Sequence, residues 1–293
     1  MTIGFSTKLA VAGAVALATL VVGSISRSVA GETVAVSELT RQTHIHGLAV
    51  DRQDSSRLFI ATHHGLFHAG SDGKAERVSE VQDFMGFNPH PRDARTLYAS
   101  GHPQRGGNLG FIASTDQGRT WTQISPGVNG PVDFHQMSVS PADPTTIYGV
   151  YQGLQLSQDG GRSWKVVGTL PAKLIDLAAS ARNAETLYAA TETGLLRSGD
   201  SGRTWTSLIE GAPVTLVEIA PDGALYAYVF GRGLVRSQEE TLQFETRGND
   251  IGGGFLLHLA ADPTNANRLF AATDRGRILS SADQGRSWAS FGG

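Results

Sequence analysis

One eight-residue run, repeated at a near-constant spacing, constrains this chain more than any other feature. Ser114-Thr-Asp-Gln-Gly-Arg-Thr-Trp121 returns as Ser157-Gln-Asp-Gly-Gly-Arg-Ser-Trp164, Ser198-Gly-Asp-Ser-Gly-Arg-Thr-Trp205 and Ser281-Ala-Asp-Gln-Gly-Arg-Ser-Trp288. Each of the four tryptophans closes one copy, and the successive gaps are 43, 41 and 83 residues. The last gap is twice the others, and the worn segment Ser237-Gln-Glu-Glu-Thr-Leu-Gln-Phe244 falls in its middle. A second worn copy, Ala69-Gly-Ser-Asp-Gly-Lys74, precedes the first intact one, making six repeats. Ahead of each copy lies an apolar strand signature, such as Thr96-Leu-Tyr-Ala-Ser, Thr186-Leu-Tyr-Ala-Ala and Arg268-Leu-Phe-Ala-Ala-Thr. Units of about forty residues with four short strands cannot bury their faces alone and stack into propeller blades.

The Ser-x-Asp-x-Gly-x-Thr/Ser-Trp run resembles the Asp-box (BNR) repeat of sialidases, sortilin-type receptors, some xyloglucanases and photosystem II assembly propellers. The resemblance spans residues 31–293 and implies a single all-β, six-bladed β-propeller with Asp-box hairpins. It implies little about activity, because one fold hosts many chemistries. Asp116, Asp159, Asp200 and Asp283 are expected to bond the backbone of the hairpin between third and fourth strands. The paired glycines take up its turn geometry, and the tryptophans pack between blades. A loop repeated in every blade serves the scaffold, so these aspartates are not read as calcium ligands or catalytic acids.

The N-terminal segment points to a compartment, and composition excludes some partners. Lys8, the apolar run Leu9–Gly23 and Ser28-Val-Ala30 have the order of an export signal. The run is short for a spanning helix, which needs about 20 residues, so an uncleaved membrane anchor is the weaker alternative. Residues 1–30 are therefore expected to be a leader, and the rest a periplasmic or secreted protein with no membrane span, acting as a monomer. There is no cysteine, so packing alone holds the fold. The formal net charge of −3 becomes more negative once the basic leader is removed, and gives no footprint for nucleic acid. The segment from Glu32 to Leu39 is expected to add an outer strand to blade six, whose own last strand after Trp288 is short.

The inner strand of a blade starts at the face opposite the repeated hairpins. Here Thr43-His-Ile-His46 carries two histidines two residues apart, which in a regular strand share one side. Alignment on strand ends puts His46, Asp83 and His135 at one repeat position, and His44 with Asp133 two residues earlier. The neighbouring hairpins add His63, His64 and His102, so six of nine histidines map to one end of the ring. Blades four to six hold Ile175, Thr215 and Leu257 at the matching position. His68, His90 and His258 are read as incidental. Met85 and Met137 are read first as core, though their sulfurs would suit Cu(I) if that region opens inward.

Imidazoles with carboxylates are a first shell for copper or zinc. The leading expectation is a metal-binding propeller with His44, His46 and His135 as central ligands, joined by Asp83, His63 and His102. A glycoside hydrolase is the alternative, with Asp83 and Asp133 as the catalytic carboxylate pair and Asp176 and Glu218 less well aligned. The arginine triad and Arg-Ile-Pro signature that a sialidase would require are absent. A third reading is a non-catalytic module that binds an envelope protein over this face through the Gly101–Gly110 and Gly252–Gly254 loops.

Overall fold

The computed structural model describes residues 31–168, 170 and 173–292; the expected leader lies outside them. Six antiparallel sheets follow one another along the chain; in each, four strands pair in sequence order, and the first sheet gains a fifth, N-terminal strand at its outer edge. The inner strands are Ile45–Val50, Gln82–Pro89, Gln136–Val139, Leu174–Ala179, Val214–Ile219 and Leu256–Ala261, defining blades one to six. Each inner strand packs against the next, and that of blade six packs against that of blade one. The molecule is a closed six-bladed β-propeller.

Stacking of blades on both sides explains why the second strands read as unbroken apolar runs rather than alternating ones. Every residue of Ala224–Val229 and of Leu187–Thr191 is buried. The core is divided into clusters between blades, as where Tyr148 and Leu154 of blade three meet Leu177 and Leu187 of blade four.

The repeated hairpins hold these layers in register. In blade three, Gly161 N and Asp159 N both donate to Ser157 Oγ, which itself donates to Asp159 Oδ1 at 2.8 Å. Asp159 also accepts from Ser163 N and Ser163 Oγ, and these bonds hold its carboxyl down at about 2. The glycine has φ +84°, and a Cβ there would stand 2.0 Å from the Phe111 ring of blade two. Blades one and two make the same approach at Gly118 and Leu66, blades three and four at Gly202 and Leu154. Glycine thus serves the turn and the blade contact together. Blade five lacks the motif and substitutes Glu239, buried against blade four, where it accepts from Ala181 N at 2.9 Å and from Ser180 Oγ.

Closure differs from the sequence expectation. Thr33–Ala35 pairs antiparallel with Lys74–Arg77, the outer strand of blade one, not with blade six. The helix Val36–Gln42 follows at once, opened by Val36 N donating to Gly73 O. Val36 and Leu39 enter a buried cluster with Phe67 and Ala75 of blade one and with Phe270 and Phe291 from blade six. The helix needs this seam for its apolar side, which holds the preceding strand on blade one. Blade six keeps a two-residue outer strand, Ala289–Ser290.

Candidate functional site

Two local irregularities shape the upper mouth. In blade one the inner-strand register shifts between Ile45 and Gly47, so His46 is a bulged residue without a cross-strand partner. The same shift recurs around Ile175, Thr215 and Leu257. A bulge redirects a side chain, so the expected shared side for His44 and His46 is lost. His44 is exposed, with its ring 5.5 Å from that of His63. It lies outside both groups of His and Asp side chains that are close enough to hold one ion.

In blade two the irregularity lies between Met85 and Asn88. It takes up Gly86 and Phe87, so Phe87 rather than Met85 falls level with Leu48 and Met137. Asp83 moves to the level of Asp133 and His44, two residues from the expected alignment with His46 and His135. The equivalent dipeptides are Asp83-Phe84 and Asp133-Phe134, and both phenylalanines are fully buried. This shared Asp-Phe pair is the sequence signal that finds the right register. Met85 and Met137 are both buried, and Met137 packs with Phe134 and Val139 as core.

Glycines then bring blades one to three unusually close at this end. A Cβ at Gly47 would meet Phe87 Cβ at 2.8 Å, and one at Gly86 (φ +56°) would meet Phe134 O at 2.3 Å. The buried Ser100 fastens the segment before the blade-three strand: its Oγ donates to Gly110 O and accepts from Phe134 N at 3.0 Å. Asp133 is thereby fixed against blade two.

The result is two triads rather than one cluster. In the first, His46 Nε2 lies 3.1 Å from His63 Nε2 and 3.6 Å from Asp83 Oδ1, while His63 Nδ1 donates to Asp83 Oδ2 at 2.9 Å. In the second, Asp133 Oδ2 lies 3.0 Å from His102 Nε2 and 2.6 Å from His135 Nε2. Each carboxylate leaves its other oxygen, Asp83 Oδ1 and Asp133 Oδ1, buried with no hydrogen-bond donor. Burying a carboxylate oxygen without a partner is costly. Asp133, expected only as a catalytic acid, thus stands where a metal ligand would.

The imidazoles of the two triads sit in different electrostatic surroundings. Burial pushes the His46 pKa down to about 4, against the pull of Asp83, so its ring is neutral at neutral pH. In the Gly101–Gly110 hairpin, His102 Nδ1–H donates to Gly107 O at 2.8 Å. That bond, first among its influences, raises the His102 pKa. In the neutral ring it also turns the Nε2 lone pair toward Asp133, the outer hydrogen bond usual for a metal-ligating histidine. Ligand atoms about 2.1 Å from a tetrahedral ion lie roughly 3.4 Å apart, so both triads fit a divalent ion with shifts under about 1 Å.

His46 and His135 also border the central channel, a cavity of about 460 Å³. Deeper in it, Asp176 accepts from Leu177 N at 2.8 Å and Val217 N at 2.9 Å, and burial raises its pKa to about 7. Burial, then the charge of Asp176, raises Glu218 well above the usual range. Neither carboxylate joins a triad. His64 is exposed and joins neither triad, and three other histidines are structural. His68 stacks on Phe59 and reaches Asp51, His90 Nδ1 accepts two backbone N–H groups in a lower turn, and His258 Nε2 donates to Ile45 O at 3.0 Å.

No protein-family model matches the chain. No curated protein matches it either. Solved structures share its fold at low identity. The GH74 enzyme of Niastella koreensis aligns over 85% of this chain with 17% identity and a TM-score of 0.59. The GH74 xyloglucanase of Xanthomonas campestris aligns over 89% with 18% identity and a TM-score of 0.56. This chain spans less than half of either enzyme, 45% and 46%. YCF48 bound to D1 peptide is matched over 89% of this chain and 84% of its own, with 17% identity and a TM-score of 0.54.

Proposed function

We propose that this chain is an exported, metal-binding propeller that holds one divalent transition-metal ion, zinc or copper(II), at His46, His63 and Asp83. The observation that carries the reading is the convergence of two imidazoles on a carboxylate whose second oxygen is buried and unpartnered. A neutral His46 at the channel rim supplies a lone pair without first losing a proton. Three protein ligands leave a coordination position for water or an exogenous ligand, the arrangement of an open rather than a structural zinc site. Calorimetric titration of chelator-stripped protein with Zn²⁺ and Cu²⁺ tests this. Binding by the wild type and its loss in His63→Ala support it; no binding of either ion refutes it. Residues 1–30 act in this reading as a cleaved leader, tested by the N-terminus of protein recovered from the periplasm.

The likeness to GH74 enzymes supports a second reading, a glycoside hydrolase using Asp83 and Asp133. The metal is favoured because each carboxylate already faces two imidazoles. Turnover of a neutral aryl glycoside that Asp83→Asn and Asp133→Asn abolish, in the presence of chelator, would reverse that preference. Metal-independent capture of one specific envelope protein would instead favour a binding module, for which the peptide-bound YCF48 is the precedent in this fold.

A further inference from the structure

We infer that blade two carries two metal sites side by side, and that the chain takes up a second, weaker and exchangeable divalent ion at His102, Asp133 and His135. This rests on the reading of the first triad as a metal site and adds an ion that the first triad does not require.

The two triads share no residue, yet blade two contributes one ligand to each. Asp83 on its inner strand turns to the blade-one histidines, and His102 on its second strand turns to Asp133 and His135 of blade three. Asp83 and His102 are direct cross-strand partners, so their Cα atoms are about 5 Å apart. The two groups therefore adjoin one another across a single strand pair.

The second triad is independently built for a cation. Asp133 has a side chain only 7% exposed, and its Oδ1 has no donor. Its Oδ2 faces Nε2 of two imidazoles at once. His102 Nδ1 is committed to Gly107 O at 2.8 Å, so Nε2 is the ring atom left to face the carboxylate or an ion. Ser100 and Gly86 hold the Asp133 segment against blade two.

The sites differ in access. In the first triad His46, His63 and Asp83 side chains are 15%, 41% and 18% exposed; in the second, both imidazoles are open, His102 at 41% and His135 at 62%, over a buried Asp133 at 7%. Water and competing ligands reach the second ion more readily, and the charge of the first ion opposes its entry. The second affinity is therefore expected to be weaker by roughly tenfold or more.

Native mass spectrometry and chelator competition with Zn²⁺ on the full chain test the inference. The wild type is expected to bind two ions per chain, one of them surrendered to a weak chromogenic chelator at least tenfold more readily. His135→Ala and His102→Ala, both at exposed side chains, should each bind one ion, with the affinity of the remaining site unchanged within about threefold. His63→Ala should lose the tighter ion and keep the weaker. One ion per wild-type chain, retained by His135→Ala and lost in His63→Ala, overturns the second site and leaves the first standing. No ion in the wild type removes both. Loss of all binding in each single variant, with the folded state intact by circular dichroism, means one shared site and also overturns the inference.

Discussion

Asp83 and His102 stand opposite each other on adjacent strands of blade two, yet their side chains serve different neighbours. Asp83 completes a triad with blade one and His102 completes a triad with blade three. A single blade thereby divides what would otherwise be one polar mouth into two separate His/Asp triads.

The bulge at His46 makes a sharp prediction for two histidines that look equivalent in sequence. His46→Ala should weaken the tighter Zn²⁺ site by about 100-fold or more, because it removes a direct ligand. His44→Ala should change it by less than about threefold. Parallel calorimetric titrations of the two variants decide the matter, and equal losses would mean that the strand is regular in solution.

Gly161 sits where a Cβ would meet the Phe111 ring at 2.0 Å, in a backbone conformation with φ +84°. Gly161→Ala should lower the unfolding free energy by about 2–4 kcal/mol, combining overpacking with left-handed strain. Urea denaturation measures this. The same substitution at Gly106, where nothing lies within 4 Å, should cost less, about 1 kcal/mol from conformation alone.

Asp176 introduces a pH dependence opposite in sign to that of the hairpin aspartates. Its folded-state pKa is raised to about 7, so ionisation disfavours the native state. Its contribution is fully present below the ordinary carboxylate range near 4 and is lost as pH rises toward 7. For Asp159, held at about 2, stability is present above that range and lost as pH falls toward 2. Asp176→Asn should therefore flatten the rise of thermal stability on going from pH 7 down to pH 4. An unchanged slope over that window would show that Asp176 titrates normally.

The seam helix should matter to the whole ring. Leu39 is 4% exposed and packs in the cluster joining blades one and six. Leu39→Ala is expected to cost about 2–4 kcal/mol and, because the seam is where the ring closes, to lower the midpoint of a single cooperative transition. Denaturation followed by tryptophan fluorescence, with reporters in blades two, three, four and six, would detect it. Separate melting of blade six would instead place closure elsewhere.

Much of the fold was legible in the sequence, because its information is local and repeated. The Ser-x-Asp-x-Gly-x-Thr/Ser-Trp run satisfies its own hydrogen bonds within eight residues, so each copy announces a hairpin and the spacing of copies announces a blade. The gathering of His46, His63, Asp83, His102, Asp133 and His135 at one end followed from the same repeat. What only the tertiary structure decided was their partition. The bulge at His46 and the two-residue shift at Gly86-Phe87 are set by strand pairing within a blade, and the close approach of Gly47 and Gly86 to neighbouring strands is a contact between blades; the hydrophobic pattern of the sequence shows none of them. The N-terminal strand joined blade one rather than blade six for a similar reason: the buried Val36 and Leu39 had to reach a seam that exists only once the ring has closed.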